Sequence, residues 1–142
     1  MVALLPALTI TTAITGYTGP VWQFRKGSPR NMSLQANFAW GSAGTTCKVW
    51  VQTSLDGGST WTDNGAFSFT TSAVRQGLNL SSLTAVTTAT TLTDANSTPT
   101  VQDGIIGSLL RVKVTTTGTY ATNTTLQVDC ISDGVTPGPQ VE

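Results

Sequence analysis

Between residues 31 and 40 the chain reads NMSLQANFAW, and every second side chain is apolar. Met32, Leu34, Ala36, Phe38 and Trp40 share one side, while Asn31, Ser33, Gln35 and Asn37 share the other. Successive side chains of an extended strand point to opposite faces, so this period specifies a strand with one face buried and one in water. The same period recurs along the chain. Cys47, Val49 and Val51 alternate with Lys48, Trp50 and Gln52, which places Trp50 on a polar face. Phe67 and Phe69 share a face, and Val74, Leu78 and Leu80 continue the pattern after a break. Leu110, Val112 and Val114 alternate with Arg111 and Lys113, and Leu126, Val128 and Cys130 fall together. Shorter strands are expected over 8–15 and 21–24, and no window carries a helical stripe.

Turn residues separate these runs. They include Gly19-Pro20, Gly41 to Gly44, Asp56-Gly57-Gly58, Asn64-Gly65, Asp103-Gly104 and Gly118. Short strands at this spacing predict an all-β fold: a single antiparallel β-sandwich, jelly-roll or immunoglobulin-like, with extended termini. A length of 142 residues suits one domain and buries roughly 68–70% of the unfolded surface. The expected partition is a 1–15 N-terminal arm or first strand, a 16–132 sandwich and a 133–142 extended C-terminal tail around Pro137-Gly138-Pro139. Residues 81–101 are rich in Thr, Ala and Ser and read as a long surface excursion, with a strand expected near 85–92. A loop of that length in a compact domain is usually functional or ordered by a partner.

Composition narrows the partners. Only 10% of residues are charged and the formal net charge is zero, so no basic surface for nucleic acid is expected. The one local cluster is Arg25, Lys26 and Arg30, which reads as a solvated loop. Thr makes up roughly a fifth of the chain. It favours strands and faces water without a charge that would have to be desolvated at an interface. A near-neutral protein tends to associate. No apolar run approaches a membrane span. The apolar start lacks Lys and Arg and is interrupted at Pro6, so no secretory signal is expected. The sequons at Asn31, Asn79, Asn96 and Asn123 are accordingly expected to be unglycosylated.

The most motif-like stretch is SLDGGSTW, residues 54–61. Ser54, Asp56, Gly58, Thr60 and Trp61 match the Asp-box pattern known from β-propeller sialidases. A propeller needs several four-stranded blades, which this length excludes. The physical content of the motif is a hairpin turn. Gly57 and Gly58 supply positive φ, Ser54 and Asp56 bond the turn's own N–H groups, and Trp61 covers the base. The chain has no His and its one Glu is Glu142. That removes Ser-His-Asp and Cys-His arrangements, histidine metal sites and an evident pair of hydrolytic carboxylates. No enzyme activity, cofactor or metal is expected. Cys47 and Cys130 sit on apolar strand faces and admit three states: buried thiols, an intramolecular disulfide or an intersubunit disulfide.

Two stretches, VWVQTSLDGGSTWTDNGAFSFTTSAVRQGLNL and DGIIGSLLRVKVTTTGTYATNTTLQVD, together cover about half the chain. They resemble small β proteins encoded in the structural gene clusters of tailed bacteriophages. The shared features are the V-x-V-Q-x-S-x-D-G-G-x-x-W hairpin and the R-V-K-V-T-T-T-G-T-Y strand and turn. The resemblance implies a virion component, assembled in the host bacterial cytoplasm, with no catalytic residues to carry over. It implies a capsid decoration or cement protein, bound to the major capsid protein or other virion subunits, or else a tail, neck or collar accessory. A homo-oligomer is expected, a trimer among the options. Leu4, Leu5, Leu8 and Ile10 in residues 1–12, the tail 133–142, the excursion and the Trp50 face are the expected intersubunit contacts. A different class of function, a carbohydrate-binding module on the virion surface, would use Trp22, Trp50 and Trp61 as stacking platforms.

Overall fold

The computed structural model describes residues 1–24, 29–121, 123–132 and 137–141. Arg25 and Lys26 of the basic cluster, the neighbouring Gly27, and residues 133–136 and 142 of the tail lie outside the described residues. The fold is an all-β antiparallel sandwich. Its strands are β1 (Val2–Ile10), β2 (Tyr17–Thr18), β3 (Val21–Phe24), β4 (Asn31–Ala39), β5 (Gly44–Ser54), β6 (Thr62–Phe69), β7 (Val74–Ser81), β8 (Thr100–Val101), β9 (Leu109–Gly118), β10 (Thr124–Ser132) and β11 (Pro137–Val141). The smaller sheet runs β1-β10-β4-β7, and the larger runs β11-β3-β9-β5-β6-β8 with β2 also on β9.

The alternation read in the sequence is the alternation found, except at Val74, which starts β7 exposed. Burial along β4 switches at every residue, with Met32, Leu34, Ala36 and Phe38 inside. Cys47, Val49 and Val51 of β5, Leu110, Val112 and Val114 of β9, and Leu126, Val128 and Cys130 of β10 complete the inner faces. Phe38 from the smaller sheet stacks on Phe69 from the larger at 4.9 Å between ring centroids. A stacked aromatic pair adds about 0.5–1.5 kcal/mol beyond its burial, and here it ties the two sheets together.

The N-terminal segment forms a first strand, one of its two expected alternatives, but with other bounds and another role. The strand begins at Val2 and ends at Ile10, in place of a strand over 8–15. Leu4, Leu5 and Ile10 are buried in this chain's own core and Leu8 is packed against it. They are therefore intramolecular core residues and not a free apolar arm for a neighbour. Leu4 and Leu5 are consecutive, so a regular strand would turn one of them outward. Pairing with β10 slips between Ala3 and Leu5 and again between Leu5 and Leu8, and these irregularities turn both inward. Pro6 is tolerated because β1 is an edge strand. The tail is likewise paired: the backbone of β11 runs antiparallel to β3, with Pro137 opposite Phe24 and Val141 opposite Val21.

Two further corrections concern turns and the excursion. Asn64-Gly65 is not a turn but part of β6, where the β5–β6 register slips between Val51 and Gln52. No strand forms over 85–92; the excursion instead contributes the two-residue β8, which pairs with Gly65 and Ala66. Beyond β8 the free edge of β6 is met by a side chain. The Gln76 Nε2 donates to the Ser68 carbonyl at 3.0 Å, and the Ser68 N–H donates to Gln76 Oε1 at 3.4 Å. Gln76, on β7 of the other sheet, thus supplies the donor and acceptor that a further strand would.

Leu4 tests the place of β1. Leu4→Ala is expected to destabilise the protein by about 2–5 kcal/mol in urea unfolding, the cost of emptying a core leucine site. A change under about 0.5 kcal/mol, the value of a surface substitution, would contradict that placement.

Candidate functional site

The outer face of the larger sheet carries the excursion and a network of hydrogen-bonded polar side chains, with the Asp-box hairpin beside them. In the hairpin, Gly57 and Gly58 have φ of 73° and 97°, where a Cβ would be strained. The Gly58 N–H donates to Ser54 Oγ at 2.8 Å, and Ser54 Oγ donates to Asp56 Oδ1 at 2.9 Å. Asp56 also accepts from the Thr60 N–H at 2.8 Å and from the Thr60 hydroxyl at 2.6 Å. The Thr60 hydroxyl bond, then the Thr60 backbone bond, holds the Asp56 carboxyl below its ordinary value of 3.8. Trp61 closes the base, with the Arg111 guanidinium 4.1 Å from its ring centroid. The turn sits where the sequence places it.

Behind the hairpin, outward side chains of β5, β6 and β9 form a buried polar chain. Arg111 Nε donates to Gln52 Oε1 at 2.8 Å, and Gln52 Nε2 donates to Asp63 Oδ1 at 2.7 Å. Asp63 Oδ2 accepts the Asn96 N–H at 3.0 Å, and the Asp63 N–H donates to the Thr93 carbonyl at 2.8 Å. Asn96 Nδ2 returns to the Asp63 carbonyl at 3.2 Å and to Gln102 Oε1 at 3.1 Å. Trp50 Nε1 donates to the Asn96 carbonyl at 2.9 Å. Lys113 lies over the Trp50 ring at 4.7 Å, 3.7 Å from Asp63 Oδ1, and donates to the Asp94 carbonyl. Gln52 and Asp63 are 0% and 1% exposed on what the alternation marks as the wet face, because the excursion lies over them. Burial lowers the Arg111 guanidinium below its ordinary value, with Asp94 and Asp63 opposing.

The far end of the excursion is fixed as well. Asp103 accepts from the Ser81 N–H and, at 3.0 Å, from the Thr84 hydroxyl. Asn64 Nδ2 donates to the Gln102 and Ile105 carbonyls at 3.1 and 2.7 Å. Gly107 presses on the hairpin's first strand, where an added Cβ would lie 2.0 Å from the Ser54 carbonyl oxygen. Its N–H donates to Thr53 Oγ1 at 2.7 Å.

Sequence reasoning placed Trp50 on this face but left it open, whereas it is half-buried beneath residues 94–96. It missed Gln52, Asp63, Asn64, Asn96 and Lys113 as a group. The available signal was Asp63-Asn64, two poor strand formers just after Trp61-Thr62, which reads more simply as a turn. Trp22 is committed elsewhere, its indole N–H donating to the Leu4 carbonyl at 3.0 Å. Cys47 and Cys130 are buried free thiols on the inner faces of opposite sheets. Burial pushes them to about 12 and about 11, so neither is a ready thiolate.

An open groove of about 410 Å³ remains between the hairpin and the excursion, lined by Ser59, Thr60, Trp61, Leu92, Thr93 and Asp94. The arrangement offers an aromatic surface, hydroxyls and one carboxylate. The Asp56 and Asp63 carboxylates are engaged in the hydrogen bonds above, and no group of three or more His, Cys, Asp or Glu side chains among the described residues could hold a metal ion. Comparison with protein-family models, curated proteins and solved structures returns no match.

Two outcomes follow from this geometry. Asp63→Ala is expected to cost about 3–5 kcal/mol, as for removing one partner of a buried charged network, and to open residues 82–99 to limited proteolysis at a temperature where wild type resists. A variant with an intact excursion and near-wild-type stability would refute the clamp. For Asp56, a depressed folded pKa means that its contribution is present above 3.8 and lost as pH falls through the lower folded value. The Asp56 carboxyl should therefore titrate below 3.8 by carbon-detected NMR, and Thr60→Ala should move it back toward that value.

Proposed function

We propose that this chain is a non-enzymatic structural protein of a tailed-phage particle, most simply one that decorates or cements the capsid by packing against the major capsid protein. The observation that carries this reading is the clamped excursion. Nine large apolar side chains are exposed among the described residues, and four of them, Leu83, Val86, Leu92 and Val101, lie on or beside it. A loop fixed by a buried polar network yet displaying apolar side chains is preorganised for contact, because little of its conformational entropy remains to be lost on binding. The charge-poor composition supports the same reading: repeated packing on a lattice then desolvates few ions. The resemblance of residues 45–80 and 103–129 to phage structural proteins points to the particle as the setting, assembled in the bacterial cytoplasm. A tail, neck or collar position would use the same surface on a different subunit.

A second reading is favoured by the groove beside Trp61. A carbohydrate-binding module would stack a sugar ring on that indole and bond its hydroxyls to Asp94 and Thr60. The two readings separate in one set of measurements. Labelling of purified particles with an antibody to this protein is expected to show regular decoration of the capsid. The double variant Leu83→Asp, Leu92→Asp is expected to lose at least about tenfold in particle occupancy while keeping its melting temperature. Absence of the protein from particles, together with saturable glycan binding abolished by Trp61→Ala, would overturn the structural reading in favour of the second.

A further inference from the structure

The outer face of the smaller sheet points away from the excursion and has a different chemistry. Ser33, Gln35 and Asn37 run along its middle strand, β4. The face is interrupted over Gly77, which has no side chain, and the hollow there has a volume of about 440 Å³. Ile131 stands on the same face at 62% exposure. Two charges flank the hollow, Arg75 on β7 and Asp129 on β10. Neither forms an ion pair among the described residues, where the one salt bridge is Lys113–Asp63. Asp129 Oδ1 accepts from Gln127 at 2.9 Å, which fixes the carboxylate in place.

The registers relate these four residues. Asp129 is level with Gln35 of β4 and Arg75 with Asn37. Ile131 is level with Ser33 and Gly77 with Gln35. Each pair thus spans β4 with the same two-residue offset in the same direction. A two-fold axis in the plane of the face mirrors positions across itself. Placed midway between the two pairs, it brings Arg75 of one copy to within ~4 Å of level with Asp129 of the second, and Ile131 to within ~4 Å of the position over Gly77, at the strand and residue spacings of a sheet. The length of the arginine side chain and the width of the hollow take up these offsets. Because the contact is isologous, each interaction is made twice. We propose that the smaller sheet is a self-association surface: two copies of this chain pack face to face through Arg75–Asp129 pairs and Ile131 knobs seated over Gly77.

The size of the face suits this. Four strands at ~4.8 Å spacing and eight or nine residues at ~3.4 Å each give about 520–590 Å² per copy, or about 1,050–1,200 Å² in total, at the small end of specific interfaces. The remaining side chains at the contact are mainly amides and hydroxyls, which hydrogen-bond across an interface without the penalty of burying ions. The inference is independent of the particle assignment, because it uses the opposite side of the sandwich. A dimer built this way leaves both excursions facing outward.

Sedimentation equilibrium on the full chain tests it. Wild type is expected to be a dimer at tens of micromolar, the regime of a small, polar interface. Arg75→Glu and Ile131→Glu are each expected to weaken it at least about tenfold. The double variant Arg75→Glu, Asp129→Arg should return to within about threefold of wild type, because the charges are exchanged and not removed. Circular dichroism melting separates loss of association from loss of fold. If Asp129→Arg disturbs the strand, Asp129→Asn replaces it, and weakening by at least about threefold is then the expected result. A monomer at about 200 micromolar, or a dimer or trimer insensitive to both Arg75→Glu and Ile131→Glu, would overturn the proposal. Such a result would leave the particle reading untouched, since that reading rests on occupancy through the excursion.

Discussion

A single buried carboxylate organises the larger sheet's outer face. Asp63 sits on β6, 1% exposed, and its bonds reach Gln52 on β5 and residues 93 and 96 of the excursion, with Lys113 of β9 close by. A charge placed there alone would be costly, because a carboxylate leaves water only when its lone pairs find donors. The excursion is what excludes the water, and its own Asn96 N–H is among the donors. Burial and satisfaction therefore arise together: the loop cannot lift without exposing Asp63, and Asp63 cannot lose its partners while the loop remains. The long segment behaves as part of the fold for this reason, despite having only the two-residue β8 beyond the end of β7.

The fold was legible wherever partners are near in sequence or where the two-residue period is unbroken. β4 is the clearest case, since its burial follows its letters residue by residue. The Asp-box hairpin is another, because Ser54, Asp56 and Thr60 bond within four residues of one another. Legibility failed where burial is imposed by something distant. Thr62-Asp63-Asn64-Gly65 looks like a turn by composition, and only residues 93–102, some thirty positions on, make it a buried strand. Leu4-Leu5-Pro6 fails for a local reason: two adjacent leucines break the period, and the irregular pairing with β10 restores burial at both.

The candidate site divides in the same way. Its hairpin could be written down from residues 54–61. Its polar chain could not, because Gln52, Asp63, Asn96, Arg111 and Lys113 come from four separate segments and none is unusual in its own. Trp50 shows the intermediate case. Its face was readable from alternation with Val49 and Val51, but its cover was not. The lesson is that period gives orientation, whereas exposure depends on what the rest of the chain lays over a face.

The Gln76–Ser68 contact has a consequence at high protein concentration. A strand edge with free N–H and C=O groups is a template onto which another chain can grow a ladder, and such growth has no built-in end. Here β8 occupies the β6 edge at Gly65 and Ala66, and the Gln76 side chain occupies it at Ser68. Edge-to-edge fibre growth from β6 is thus closed off by a two-residue strand and one amide borrowed from the opposite sheet. At this edge, crowded copies are left to meet through faces and loops, and an isologous contact of that kind closes on itself rather than propagating.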